Sequence, residues 1–146
     1  MKRVVGLEIA NSSIKGYTNE KSVYYPNTIR KIDDSDVKKA LSTGKTPYYT
    51  YKGEKWEVGI SNATGTGGKE RDYSSKKFET QLAIALSQLV YYEQEEIYIV
   101  YGLPATSIDN EEIVKQLQKY VGKYEIIEGI RKRSFEVKAV KVLAQP

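Results

Sequence analysis

The sequence contains no cysteine and no histidine. The absence of cysteine excludes disulfide bonds and thiolate chemistry, and it fits a reducing cytoplasm best. The absence of histidine removes the commonest general base and the commonest ligand of transition metals at the same time. Any catalysis must therefore rely on carboxylates, lysine, hydroxyl groups, amides or a bound hard cation.

Long apolar runs and a strong excess of one charge are also missing. No apolar stretch approaches the roughly 20 residues that a membrane-spanning helix needs, and no signal-peptide pattern opens the chain. The 146 residues include 23 basic and 19 acidic side chains, and the resulting net charge of +4 is weak evidence for nucleic-acid binding. With 40% hydrophobic and 29% charged residues, the composition predicts one globular domain over residues 1–146.

The apolar pattern predicts short strands in the first half of the chain and alternating strands and helices in the second. Strand hairpins are expected over 3–18 and 48–59. Apolar residues at helical spacing predict a helix over 76–91 that Ser74 or Ser75 can cap. A second helix is expected after Asp109, which stands at capping-box spacing from Glu112.

The second half also predicts the way in which the sheet is connected. Strands are expected over 96–101, 124–127 and 135–143, and the alternation of the last one shifts after Ala139, which suggests a bulge or a twist. Strands that alternate with helices imply crossovers between parallel neighbours. The predicted fold is therefore an α/β domain with a mixed β-sheet and flanking helices.

Residues 61–72, SNATGTGGKERD, form a glycine-rich stretch that invites comparison with a nucleotide-binding P-loop. The spacing does not fit, because Glu70 stands where that motif has serine or threonine and Ala63 stands at its first glycine. We interpret this stretch as a mobile surface loop.

The turn between the first two strands has the residues of a phosphate-binding loop. Glu8 lies near the end of the entering strand, where a carboxylate can hold Mg²⁺ through its water shell. Asn11, Ser12 and Ser13 are small residues whose N–H and hydroxyl groups can converge on an anion. Lys15 on the returning strand can supply a charge-assisted contact. An ordinary surface hairpin explains the same residues, so the pattern alone leaves both interpretations open.

Six segments, in one order and at one spacing, resemble the N-terminal half of bacterial actin-like proteins of the ParM type, which segregate plasmids. These segments are the first strand with SSIK, YPNTIRK, YTYKGEKWEVG, the helix from Tyr73, IYIVYGLP and FEVKAVKVLAQP, and together they cover essentially the whole chain. The resemblance implies the actin/Hsp70/sugar-kinase fold of the ribonuclease H-like class, in which two similar domains close on ATP, or GTP, and Mg²⁺. It also implies cytoplasmic subunits that stack into filaments and move plasmid DNA through a separate adaptor protein, without direct contact to nucleic acid or membrane.

The resemblance assigns roles to individual residues. Glu8 stands at the family's Mg²⁺-associated acidic position, and Ser12 and Ser13, beside Asn11, lie in the first phosphate loop. Lys15 stands at the phosphate-contacting lysine. Gln145 falls where these proteins place a glutamine or glutamate that positions the attacking water, which makes it the expected catalytic residue.

Three features depart from the family's pattern. Glu8 replaces an aspartate, and Ala10 replaces a loop glycine, so a longer carboxylate and an extra Cβ lie near the expected phosphate position. The family's second phosphate loop and its adenosine-binding residues would lie beyond Pro146. We therefore expect the isolated chain to be a poor ATPase.

Two other functions are compatible with the sequence. One is a non-catalytic interaction module that keeps the actin-like fold, has a degenerate nucleotide site and binds a partner protein through a surface such as 61–72. The other is a nucleic-acid-binding protein that uses the basic run 131–133. Glu128 and Glu136 flank that run, which favours a solvated turn instead.

Overall fold

The computed structural model describes residues 2–43, 48–59, 72–91 and 93–145. Residues 61–71 of the predicted surface loop lie outside these described residues. In chain order the elements are β1 (Lys2–Ile9), β2 (Ser13–Tyr17), β3 (Ser22–Pro26), β4 (Ile29–Ile32), α1 (Asp34–Thr43), β5 (Tyr49–Tyr51), β6 (Glu54–Val58), α2 (Lys76–Leu89), β7 (Glu95–Leu103), α3 (Glu111–Gln118), β8 (Gly122–Glu128) and β9 (Arg131–Ala144).

The strands form one mixed sheet in the order β3-β2-β1-β7-β9-β8-β5-β6-β4. At its centre β1 and β7 are parallel, as are β7 and β9, which confirms the predicted α/β class and its crossovers. The crossover from β1 to β7 contains α2, and the crossover from β7 to β9 contains α3. Both run in the same direction along the sheet, so right-handed connections place the two helices on the same face. In agreement, the ring of Phe78 in α2 lies 5.7 Å from the ring of Tyr120, which follows α3.

The sheet is curled so strongly that its two edges approach each other. β3 and β4 are the edge strands, yet only Asn27 and Thr28 separate them along the chain. Consecutive Cα atoms are about 3.8 Å apart, so the two edges come within about 11 Å at this point. Tyr25 of β3 also packs against Gly59 after β6, since a Cβ at position 59 would lie 3.1 Å from its ring.

The curled sheet surrounds α2, which supplies much of the core. Ten of the 14 residues of α2 are buried, because strands contact the helix on several sides and not along a single stripe. Ser75 caps α2 as predicted, and its Oγ accepts a hydrogen bond from the backbone N–H of Phe78 at 3.1 Å. Among the described helices, none has both the length and the apolarity to cross a membrane.

The beginning of α3 and the existence of β4 differ from the sequence prediction. The capping box assigned to Asp109 is wrong, because Asn110 has the extended backbone of a cap and its Oδ1 accepts hydrogen bonds from Glu112 and Ile113. β4 was not predicted, since it has four residues and, in the described part of the chain, pairs with β6 alone. The irregularity predicted in β9 is a bulge, and Lys138 is the extra residue between the pairs that Val137 and Ala139 form with β7.

Candidate functional site

Three residues from distant parts of the chain meet where the parallel strands end. Glu8 lies near the carboxyl end of β1, Gly102 near that of β7, and Gln145 directly follows β9. In α/β sheets, ligands bind outside the carboxyl ends of the parallel strands. The topology therefore brings Glu8 and Gln145, both predicted site residues, to the end of the sheet where a ligand site is expected.

Gly102 is the point at which Glu8 and Gln145 come together. A Cβ at position 102 would lie 2.9 Å from Oε1 of Glu8 and 3.2 Å from Cγ of Gln145. The Nε2 of Gln145 donates a hydrogen bond to the carbonyl of Gly102 at 3.1 Å, and its backbone N–H donates to the carbonyl of Leu103 at 2.7 Å. Because Gly102 has no side chain, there is space beside its backbone for both the carboxylate of Glu8 and the side chain of Gln145.

Lys15 stands directly opposite Glu8 across the β1–β2 hairpin. Both side chains lie on the face of the sheet opposite the buried side chains of Leu7 and Ile9, since successive side chains of a strand alternate between faces. The ammonium group of exposed Lys15 lies over the ring of Tyr24 on β3, 5.7 Å from its centroid. The backbone thus pairs Lys15 with Glu8, while the ammonium leans toward the next strand.

The turn between β1 and β2 is exposed but anchored at its base. The backbone N–H of Ala10 donates to the carbonyl of Ser13 at 2.9 Å, and Asn11 and Ser12 form an exposed bend beyond this bond. Ser13 itself is half-buried at the start of β2. The three predicted loop residues therefore lie together at the tip of the hairpin, close to Glu8 and Lys15 along its two strands.

Tyr101 fixes the last residue of β1. Its hydroxyl accepts a hydrogen bond from the backbone N–H of Ile9 at 3.1 Å and lies 3.3 Å from the carbonyl of the same residue, to which it can donate. The ring is buried, so the hydroxyl is carried on a side chain with little freedom to move. The exposed turn consequently begins from a fixed position.

Asn27 supports the turn from the side of the core. Its Nδ2 donates to the carbonyl of Ala10 at 2.5 Å, and its backbone N–H donates to the carbonyl of Ser12 at 3.1 Å. Its Oδ1 accepts a hydrogen bond from Nε2 of Gln81 in α2. This buried amide pair connects the exposed turn to the central helix.

Sequence reasoning did not identify Asn27, Tyr101 or Gly102 as parts of this site. The dipeptide Pro26–Asn27 has the composition of a turn, which gives no sign that the asparagine side chain is buried. In the sequence, Gly102 stands two residues before Pro104, where a glycine indicates only a backbone that is free to turn. The contacts of all three residues depend on chain crossovers, and a local pattern does not encode those contacts.

Residues 6–146 match the family model of the actin-like protein N-terminal domain. Among curated proteins, none matches this chain. The apo psk41 ParM protein is 21% identical, with a TM-score of 0.76 over 99% of this chain and 50% of that chain. Ta0583, an archaeal actin homologue in complex with ADP, is 17% identical, with a TM-score of 0.73 over 98% of this chain and 44% of that one. The AlfA filament bound to AMPPNP is 15% identical, with a TM-score of 0.69 over 99% of this chain and 55% of that chain.

These likenesses confirm the predicted actin-like fold. The chain spans about half the length of the similar structures. Since the family model matches nearly the whole sequence, the chain belongs to the actin-like proteins, in which it corresponds to the N-terminal domain.

Proposed function

We propose that this chain is the half of an actin-like, filament-forming ATPase that binds the phosphates of ATP and the accompanying Mg²⁺. The observation that carries the proposal is the meeting of Glu8, Gln145 and the first turn at the carboxyl ends of the parallel strands. Nucleotides in two of the similar structures, ADP in Ta0583 and AMPPNP in the AlfA filament, support it.

The turn and Lys15 would bind the phosphates. The backbone N–H groups of the turn and the hydroxyls of Ser12 and Ser13 are donors for phosphate oxygens, and the Lys15 ammonium adds a charge-assisted contact. Lys15 reaches the phosphates by leaving the ring of Tyr24, and such an exposed cation–π contact is worth only about 0.5–1 kcal/mol.

Glu8 fits the Mg²⁺ that accompanies a nucleotide. Within the described ranges, no group of three or more histidine, cysteine or acidic side chains could hold a metal ion, so a dedicated protein cage for a metal is not part of the described site. Nucleotide-bound Mg²⁺ needs only one or two carboxylates besides phosphate oxygens and water. When bound, the ion neutralises phosphate charge, and Glu8 would hold it through its water shell.

Gln145 would orient the water that attacks the terminal phosphate. Its Nε2 is turned toward the carbonyl of Gly102, so its Oε1 is turned away from that carbonyl and can accept a hydrogen bond from a water. Attack by that water would form a bond to the γ-phosphorus and break the bond from this phosphorus to the bridging oxygen, giving ADP and inorganic phosphate, while the water's proton passes to the phosphate or to solvent. The contacts to adenosine would come from a second domain, so we expect this half to bind ATP weakly by itself.

An open face of the sheet supports self-association. Val4, Tyr17 and Leu143 are 62%, 52% and 45% exposed on the face opposite α2. Exposed apolar residues that cluster on one face are typical of protein interfaces. Filament assembly and movement of plasmid DNA through an adaptor protein are the corresponding proposals for the cellular role.

The test is a titration of the chain with Mg²⁺-ATP, followed by the backbone amide shifts of residues 8–16. We expect saturable shifts there and a loss of affinity of about tenfold or more in Lys15→Met, since a charge-assisted hydrogen bond is removed. Lys123→Met is the matched control, because Lys123 is also an exposed lysine within a strand but lies on β8.

The alternative function, a non-catalytic interaction module, predicts a different result. An intact fold with no amide shifts at residues 8–16 up to millimolar nucleotide would overturn nucleotide binding by this chain and support the interaction module. Equal losses of affinity for Mg²⁺-ATP in Lys15→Met and Lys123→Met would also contradict the proposed role of Lys15.

A further inference from the structure

We propose that Asn27 is the positioning residue of the phosphate-binding turn and that Gln81 holds it in the working orientation. This inference rests on the proposed function, because it explains how the turn is prepared for phosphate. Asn27 lies outside the turn and would not touch the ligand.

Both amides are deeply buried, which requires an explanation. Asn27 is 3% exposed and Gln81 is 2% exposed. Burying an amide is unfavourable unless its polar atoms find partners, so a buried pair of this kind usually serves a specific arrangement. Here the side-chain amide of Asn27 has the Ala10 carbonyl and the Gln81 side chain as partners, and the backbone N–H of Asn27 donates to the Ser12 carbonyl.

The two bonds from Asn27 determine which way the turn's peptide groups point. In a trans peptide the C=O and the following N–H point in opposite directions. The carbonyl of Ala10 points to Asn27, so the N–H of Asn11 points away from it. The carbonyl of Ser12 also points to Asn27, so the N–H of Ser13 points away as well.

This arrangement suits an anion. Carbonyl oxygens carry partial negative charge and would repel phosphate, whereas successive N–H groups that face the same concavity attract it. Asn27 binds the Ala10 carbonyl through its side chain and the Ser12 carbonyl through its backbone N–H, and so turns the positive ends of both peptide groups away from itself. The site therefore obtains its polarity from a residue that lies behind the turn.

Gln81 selects one of two possible orientations of the Asn27 side chain. A rotation of the terminal amide by half a turn exchanges Oδ1 and Nδ2, and the exchanged form would place two oxygens against each other at Ala10. Because Nε2 of Gln81 donates to Oδ1, it fixes that oxygen on the side of α2. The donor Nδ2 is then directed at the carbonyl of Ala10.

The variants Asn27→Asp and Gln81→Met separate these two functions. The first keeps size and the acceptor for Gln81 but places an oxygen against the carbonyl of Ala10. The second keeps side-chain length but removes the donor that fixes Asn27. Ser87→Ala is the matched control, because it removes a buried hydrogen bond within α2, from Oγ to the carbonyl of Ile84 at 2.7 Å, without touching the turn.

Two readouts are needed, with Mg²⁺-tripolyphosphate as the probe because it lacks the base and the sugar. The first is the set of amide shifts and three-bond HN–Hα couplings of residues 11–13 without ligand. The second is the dissociation constant for the probe. We expect Asn27→Asp to change the couplings and to weaken binding by about tenfold or more, Gln81→Met to weaken it several-fold, and Ser87→Ala to change neither.

The outcomes distinguish this inference from the proposed function. Wild-type couplings and affinity in Asn27→Asp would overturn the inference. Changed couplings in Asn27→Asp, together with a wild-type protein that does not bind tripolyphosphate, would support the positioning role and overturn the proposed function. If Asn27→Asp does not fold, Gln81→Met decides, and wild-type values of both readouts in that variant would overturn the inference.

Discussion

Tyr17 lies with its ring over Gly6, its partner across the β1–β2 hairpin. A Cβ at position 6 would lie 2.2 Å from Cζ of that ring. On the other face of the hairpin, Gly16 packs against α2, and a Cβ there would lie 2.7 Å from Cδ1 of Leu89. One glycine leaves space for a half-exposed ring, and the other leaves space for a fully buried side chain.

Gly16→Ala is expected to destabilise the protein by about 1–3 kcal/mol, because Leu89 is enclosed and overpacking forces it or α2 to shift. Gly6→Ala should cost clearly less, since the ring of Tyr17 can swing into solvent. The free energy of unfolding in urea measures both. Equal losses of unfolding free energy in the two variants would show that Leu89 can shift as easily as the half-exposed ring of Tyr17.

Gly102→Ala is expected to weaken Mg²⁺-ATP binding by about tenfold to a hundredfold, because the new Cβ pushes the carboxylate of Glu8 away from its position. Stability should change little, since the displaced atoms belong to flexible side chains. Isothermal titration calorimetry measures the affinity, and Gly6→Ala is the control for an added methyl group on the same open face. An unchanged affinity would remove Glu8 from the proposed Mg²⁺ site.

The buried ion pair between Arg3 and Glu95 predicts a large loss of stability when its carboxylate is removed. Both side chains are almost fully buried, and the hydrogen bond that the Arg3 guanidinium donates to the Glu95 carboxylate raises the pKa of Arg3. Glu95→Gln leaves the guanidinium without this carboxylate and should cost about 3–5 kcal/mol.

Glu125→Gln is the control for this ion pair, because its partner Lys132 lies 3.3 Å away on the surface. Removing a charge from such an exposed pair should cost less than about 1 kcal/mol. Urea unfolding at neutral pH measures both variants, and a similar loss in the two would contradict the importance of burial.

Alkaline pH should destabilise the fold through its buried tyrosines. Burial raises the pKa of Tyr49 to about 12 from an ordinary 10.0, although a hydrogen bond from Gln88 acts in the opposite direction. Burial also raises the pKa of Tyr25 and of Tyr124. Since the unfolded chain ionises first, this part of the stability is fully present below the unfolded pKa and is lost as the pH rises from about 10 to about 12.

Urea midpoints measured across this pH range, together with tyrosinate absorbance, test the prediction. Tyr49→Phe should make the loss of stability with rising pH less steep. A stability that does not change across this range would contradict the burial of these hydroxyl groups.

Local signals explain the parts of the fold that the sequence predicted. The helical spacing of apolar residues from Phe78 to Leu89 identified α2, and the hydroxyls of Ser74 and Ser75 indicated its beginning to within one residue. The shift in alternation after Ala139 indicated a bulge or a twist in β9, within two residues of the bulge that the structure has at Lys138. In each case the physical cause lies within a few residues of the signal.

The remaining features depend on contacts between distant parts of the chain. β4 is stabilised by pairing with β6, and the approach of Glu8 and Gln145 to Gly102 requires two crossovers. The predicted site residues came from residue types and a family resemblance. The buried supports Asn27 and Gln81 have no distinctive sequence spacing, because their partners are backbone carbonyls and each other.

The order of the strands in the sheet differs from their order in the chain, and this has a consequence for synthesis on the ribosome. The strands from β1 to β6 are made first, but the strand that joins β1 to the rest of the sheet is β7, which is made only after α2. Until β7, β8 and β9 emerge, one edge of β1 and the part of α2 that packs against the later strands lack their native partners. The nascent chain therefore passes through a stage at which an open strand edge can pair with other chains, and chaperone binding at this stage would favour correct closure.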